Sequence, residues 1–303
     1  MAAGPVLTAA NLAVGRGGTA VASEIDLTLA RGELVAVLGP NGAGKSTLLA
    51  TLAGLMPPID GTVTVDGRVA AALQAPALAR RTVRANVEAA LAWWGVPKAQ
   101  RAARADEALQ RMGVGELAQR PAGTLSGGEA RRVHLARAIA LQADALLLDE
   151  PFAGVDAPTR AALLRDAADV LRDPRRATFV VLHDRAEAWA LADRLIILLD
   201  GRLAASGEPR AVLESPPTRE VARFLGFTGE VRVNGGVRCV RPAQVAFDPD
   251  SPLRGTVARR IPEEDGVLCD ITVEGGSVQA RTPYPGPDEG DEVGVRIDGG
   301  VVF

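Results

Sequence analysis

The sequence predicts an α/β fold of buried strands and flanking helices with an inserted helical segment, followed by a small all-β barrel. Three observations predict it. Gly39-Pro40-Asn41-Gly42-Ala43-Gly44-Lys45-Ser46-Thr47 stands between an apolar run, Leu34–Leu38, and a stretch carrying Leu48, Leu49 and Leu52 at helical spacing. Two further apolar runs, 146–148 and 178–182, end in Asp149-Glu150 and in His183. Strands of such a sheet present ligand contacts at their carboxyl ends. From Glu230 onward, short alternating runs broken by Gly and Pro replace the helical pattern.

With 303 residues the chain is long enough for two domains and a sizeable core. Because 47% of residues are hydrophobic and only 3% aromatic, that core is built from Ala, Val and Leu. A net charge of −3 supplies no electrostatic drive toward nucleic acid or an anionic membrane. The N-terminus lacks the basic segment and apolar run of a signal peptide, and no stretch approaches the roughly 20 apolar residues that span a bilayer. A soluble, cytoplasmic chain is expected. Cys239 and Cys269 have no CxxC or metal-type neighbours and read as buried thiols.

In chain order, residues 6–14 and then Ile25, Leu27 and Leu29 alternate as strands do, and Arg31-Gly32-Glu33 turns the chain into the strand that feeds the loop. The loop's glycines let the backbone wrap a polyphosphate with N–H groups inward, and the following helix, 45–55, offers its positive end to the same anion. In such a loop Lys45 reaches the β- and γ-phosphates and Ser46 ligates Mg²⁺. The motif therefore predicts a nucleoside triphosphate site. Pro57-Pro58 closes that helix; 62–65 reads as a strand before the Asp66-Gly67 turn, and 69–73 as one more, ending at Gln74, a candidate contact for Mg²⁺ and water. Between residues 76 and 123 the pattern is helical, in segments 82–94 and 97–112. Adjacent Trp93 and Trp94 point about 100° apart on a helix, so one anchors a partner or both pack on neighbouring helices, half exposed.

Leu125-Ser126-Gly127-Gly128-Glu129 opens a helix that runs to Leu141. Ser126 and Glu129 are spaced as a capping box, and the two glycines make the helix start a second anion site. Asp149 is placed to hold Mg²⁺ and Glu150 to polarise the water that attacks the γ-phosphate. A helix then runs from Asp156 through Leu171 with Pro158 in its first turn. His183 shares the strand-end level of the two acids and reads as a γ-phosphate contact, whereas mid-helix His134 reads as structural.

Taken together, the loop, Gln74, Leu125-Ser126-Gly127-Gly128-Glu129, Leu148-Asp149-Glu150-Pro151, Gly154-Val155-Asp156 and His183-Asp184-Arg185-Ala186-Glu187-Ala188 resemble the nucleotide-binding subunit of ATP-binding cassette (ABC) transporters. The resemblance covers about residues 6–226. It implies a P-loop ABC-type cassette over 1–227, with a helical subdomain at about 76–135 facing a membrane permease. It also implies ATP and Mg²⁺ as ligands and a head-to-tail homodimer, in which Ser126, Gly127, Gly128 and Glu129 of one copy close over ATP held by residues 39–47 of the other. Asp156 falls at that dimer interface. Where the family stacks an aromatic residue on adenine, this sequence has Gly15 and Arg16; a guanidinium can stack on a base, with weaker adenine selectivity.

Residues 230–303 resemble the transport-associated OB (TOBE) domain of importer ATPases, carried by Arg241-Pro242-Ala243-Gln244-Val245 and Glu289-Gly290-Asp291-Glu292-Val293. The bland alternative is a generic packing domain. The expected function is an ATPase energising an importer at the cytoplasmic face of the membrane, held there by its permease and fed by an extracytoplasmic binding protein. Residues 74–83 and Glu150-Pro151-Phe152-Ala153-Gly154 resemble oxyanion importers of molybdate, tungstate or sulfate. Sugars, polyamines, iron and thiamine are the alternatives. A soluble ABC ATPase of DNA repair or translation is the competing class, disfavoured by the single phosphate loop, the absence of a heptad run and the acidic charge.

Overall fold

The computed structural model describes residues 4–303, and the chain divides into two units, Met1–Pro209 and Arg210–Phe303. The first begins with β1 (Leu7–Arg16) and β2 (Thr19–Leu29), an antiparallel pair. β3 (Leu34–Leu38) feeds the phosphate loop and α1 (Lys45–Leu52); β4 (Asp60–Val65) then pairs with β1, and β5 (Val69–Ala72) follows. Helices α2 (Val83–Trp93), α3 (Lys98–Arg111) and α4 (Gly127–Ile139) come next. The unit is completed by β6 (Ala145–Asp149), α5 (Ala157–Leu171), β7 (Ala177–Val181), α6 (Arg185–Leu191), β8 (Arg194–Leu199) and β9 (Arg202–Gly207).

The central sheet has the order β5-β6-β7-β3-β8-β9. Its first five strands run parallel, and β9 is an antiparallel edge. Every residue of β3, β6 and β7 is buried. Burial on both faces explains why these strands read as unbroken apolar runs rather than alternating ones. Val181 pairs with both Val37 and Asp149, so β3, β6 and β7 end on one level. The phosphate loop, the two acids and His183 leave the sheet at that shared edge.

The helices keep the expected starts. Thr82, Ser126 and Asp156 each accept a backbone N–H from the residue three later, and each such cap stabilises its helix by about 1 kcal/mol. α1 stops at Leu52 rather than at residue 55, because the Leu55 N–H turns back to the Ala50 carbonyl at 2.9 Å and closes the last turn. Residues 76–81 are irregular, not helical. Strands β8 and β9 had no counterpart in the sequence reading. Trp93 is 93% exposed on α2, while Trp94 lies under the Arg68 guanidinium, 3.8 Å from ring centroid to Cζ. Among the described residues no helix is long and apolar enough to cross a membrane.

The second unit carries α7 (Pro209–Glu214), which begins at its border, and α8 (Arg219–Phe224). Then come β10 (Gly229–Val233), β11 (Gly236–Val240), β12 (Val245–Phe247), β13 (Arg254–Glu263), β14 (Gly266–Val273), β15 (Gly276–Thr282), β16 (Glu292–Ile297) and β17 (Val301–Val302). They form one sheet in the order β12-β16-β13-β14-β15-β10-β11-β17. Val231, Val257, Cys269, Ile271 and Val278 fill its core, and both cysteines are free and buried, as expected. The division falls after Pro209, the first residue of α7. Arg219 and Arg223 of α8 both pair with Glu230, and Arg241 donates to the Leu213 carbonyl at 2.6 Å, which ties these helices to the strands that follow.

Candidate functional site

The turn from β3 into α1 has no side-chain cap. Gly44 occupies the N-cap position with φ 96, a left-handed conformation that a side chain would strain. The first N–H groups of α1 therefore point out of the helix with its positive dipole end behind them. Lys45 is 5% exposed, and its Nζ donates to the Gly39 and Pro40 carbonyls at 2.7 and 2.9 Å. Burial lowers its pKa, opposed by the charges of Glu150 and Asp149. The lysine is thus held across its own loop, which is rigid preparation for a polyphosphate.

A cavity of about 730 Å³ opens there, lined by Asn41, Gly42, Gly44, Lys45, Ser46 and Thr47 together with Gln74, Glu150 and His183. Asp149, at the end of β6, accepts from the Ser46 hydroxyl at 3.1 Å. Burial raises its pKa, the Ser46 bond opposes this, and the Glu150 charge adds to the rise. A cation beside Asp149 would reverse the effect of burial. Ser46, Asp149 and the Gln74 side-chain oxygen form a hard oxygen donor set that fits Mg²⁺. Glu150 is non-glycine at φ 49, a strained backbone that marks functional positions. Its two carboxylate oxygens are engaged separately, one by Gln74 Nε2 at 2.8 Å and the other by His183 Nε2.

Ser126, Gly127, Gly128, Glu129 and Asp156 line a different cavity, of about 440 Å³, with Thr159 and Arg132. The capping box is present: the Ser126 hydroxyl accepts from Glu129 N at 3.3 Å and Glu129 Oε2 accepts from Ser126 N at 2.7 Å. Gly128 has a reason within the chain as well, because a Cβ there would meet Thr159 Cγ2 at 2.7 Å. The Asp156 carboxylate caps α5, bonding both Thr159 N and its hydroxyl.

The structure thus brings Lys45, Ser46, Gln74, Asp149, Glu150 and His183 together and leaves the Ser126 cluster apart. Arg16 is exposed at the end of β1, paired in register with Thr19. Val21, 42% exposed above Gly44, lines the first cavity. The sequence reading missed Val21, whose alternation in a strand carries no functional signal. It also missed Arg131, which donates to the Gln74 carbonyl and, at 2.7 Å, to that of Ala153.

Residues 22–153 match the ABC transporter family. The chain is similar to the Fe(3+) ions import ATP-binding protein FbpC of Streptomyces coelicolor, 36% identical over 277 residues that span 84% of this chain and 80% of that protein. It is also similar to the sulfate/thiosulfate import ATP-binding protein CysA of Mycobacterium bovis, 37% identical over 233 residues, 73% of this chain and 65% of that one. Among solved structures, the dimeric bacterial ABC transporter cassette MJ0796 superposes with a TM-score of 0.60 at 25% identity, over 67% of this chain and 99% of that one.

Proposed function

The chain belongs to the family of ABC transporter ATP-binding subunits, which hydrolyse ATP, and from that premise we propose that it energises import of an inorganic ion through a membrane permease. The observation that carries the reading is the engagement of Glu150 by both Gln74 and His183 on the cavity that holds Lys45. The α1 N-terminus and Lys45 bind the β- and γ-phosphates. Ser46, Asp149 and Gln74 would hold Mg²⁺, which when bound would supply neutralisation of phosphate charge. His183 contacts the γ-phosphate. Gln74 and His183 orient the two Glu150 oxygens, and Glu150 would accept a proton from the attacking water. Ser126, Gly127, Gly128 and Glu129 come from a second copy, whose Asp156 lies at the same dimer interface. That arrangement answers the separation of the two cavities.

The subunit sits at the cytoplasmic face through its permease, with the Trp93 side of the helical subdomain (about 76–135) toward it, and an extracytoplasmic binding protein delivers the solute. Residues 230–303 form a transport-associated OB domain. For the solute, an oxyanion such as molybdate, tungstate or sulfate is supported by the sequence of residues 74–83 and by likeness to a sulfate/thiosulfate importer subunit. Ferric ion is the second reading, favoured by likeness to a ferric importer subunit over 84% of the chain.

Glu150→Gln tests the chemistry and the transport together. ATP binding stays intact, hydrolysis falls by about a hundredfold or more, and a closed dimer accumulates with Mg-ATP in size-exclusion chromatography. Retained hydrolysis would mean that the wrong acid has been assigned. In cells carrying only this variant, uptake of radiolabelled molybdate, sulfate and ferric ion is compared with wild type. Loss confined to ferric ion moves the solute to that class, and unchanged uptake of all three refutes the inorganic-ion reading.

A further inference from the structure

Gln74 lies just past the end of β5 on an irregular segment with little burial of its own. Leu73 is 45% exposed, and Gln74, Ala75 and Ala77 are exposed as well. Apolar packing therefore does not fix where the Gln74 side chain points. Backbone hydrogen bonds do, and they come from one stripe of α4. Arg131, His134 and Arg137 recur every three residues, so they share a helix face. Arg131 donates to the Gln74 carbonyl, His134 Nε2 bonds the Leu73 carbonyl at 2.8 Å, and Arg137 donates to the carbonyls of Pro76 at 2.9 Å and Ala77 at 3.3 Å.

His134 is the member that needs explaining. It is 4% exposed, between Val133 and Leu135, where an aliphatic side chain would fill the core without polar atoms. Arg137 approaches its Nδ1 at 2.8 Å. A guanidinium has only donors, so Nδ1 must accept. The proton then sits on Nε2, which donates to Leu73. Burial pushes the imidazole pKa down to about 4, so the ring is neutral and this tautomer persists at physiological pH.

We propose that His134 is a positioning residue that holds Gln74 in reach of Glu150, a role that rests on the reading of Gln74 and Glu150 given above. It does not line the Lys45 cavity and acts through the Leu73 backbone. Because Ser126 caps the start of α4, the same helix carries the Ser126–Glu129 cluster and the support of Gln74.

The test is a double-mutant cycle in the full chain with His134→Ala and Gln74→Ala. Each single variant is expected to lower the kcat of ATP hydrolysis by about tenfold while the Kd for ATP stays within about twofold. Combining them should add no further loss, because His134 acts only through Gln74. His134→Gln, which keeps a donor and an acceptor, should recover much of the rate. If His134→Ala does not fold, as read from its thermal unfolding, His134→Leu replaces it in the cycle, filling the volume without a donor. Losses that multiply in the double variant, or a wild-type rate for the His134 variant beside a slow Gln74→Ala, overturn the proposal alone. A wild-type rate for Gln74→Ala overturns the underlying reading of Gln74, and the proposal with it.

Discussion

Glu187 shows how a single buried acid makes stability depend on pH. It lies on α6, 8% exposed, with Arg160 Nε no closer than 3.9 Å. Burial, reinforced by the Asp184 charge, raises its pKa to about 7, against the partial relief of Arg160 and His183. A raised carboxyl pKa means that the folded chain keeps a proton the unfolded chain gives up. Between an unfolded value of about 4.5 and the folded value of about 7, stability therefore falls as pH rises. Glu187→Gln should remove that slope. Its stability relative to wild type should grow from about pH 5 to about pH 8 by at most about 3 kcal/mol, read from denaturant unfolding at both pH values. A difference that does not change with pH would mean that Arg160 keeps Glu187 ionised throughout. Nothing in the sequence marks Glu187 beyond its place in the motif that starts at His183, because a desolvation effect belongs to the packed fold.

Helix α4 joins what was legible to what was not. Its start could be read because a cap is local: Ser126 and Glu129 are three residues apart, and they bond as that spacing requires. Likewise Asp149, Glu150 and His183 were legible as polar ends of apolar runs, which the parallel register places on one edge. The inner face of α4 was not legible. Arg131 and His134 find partners 57 and 61 residues earlier in the chain, and helical periodicity assigns such positions to the core without naming what they touch. β8 is a different miss, since Arg194–Leu199 is as apolar as the strands that were found, but carries no motif at its end. Ser126→Arg tests the outer end of the helix. Losing the cap should cost about 1 kcal/mol, too little to unfold the unit, while hydrolysis is lost because the bulky cation blocks closure on the partner copy. Mixed in equal amounts with Lys45→Ala, it should restore about a quarter of the wild-type rate: half the dimers are mixed, and each keeps one of its two composite sites. No recovery on mixing would show that both sites must be intact together or that the head-to-tail arrangement is wrong.

For the whole molecule, the border at Pro209 changes where the chain can be divided. A cut after Phe227, at the end of the stretch 1–227 that the family resemblance implies, would leave Arg219 and Arg223 without Glu230 and remove Arg241 from the Phe227 ring, where it stacks at 4.3 Å. A chain ending at Pro209 keeps every residue that lines the first cavity and cuts none of these interactions apart. It should stay soluble and bind ATP with wild-type affinity, whereas the chain ending at Phe227 should aggregate at a lower temperature. Light scattering during heating and nucleotide titration check both. Equal behaviour of the two would show that α7 and α8 need nothing from the strands after them.

Lys45 and Ser126 open onto separate cavities of one chain. If each nucleotide needs both, a solitary subunit is catalytically silent, and dilution alone becomes an off state. At concentrations well below the dimer dissociation constant, total hydrolysis would rise as the square of subunit concentration. Copies made in excess of their permease and kept dilute would then leave cellular ATP untouched, and the pairing imposed by a permease would itself be the signal to fire.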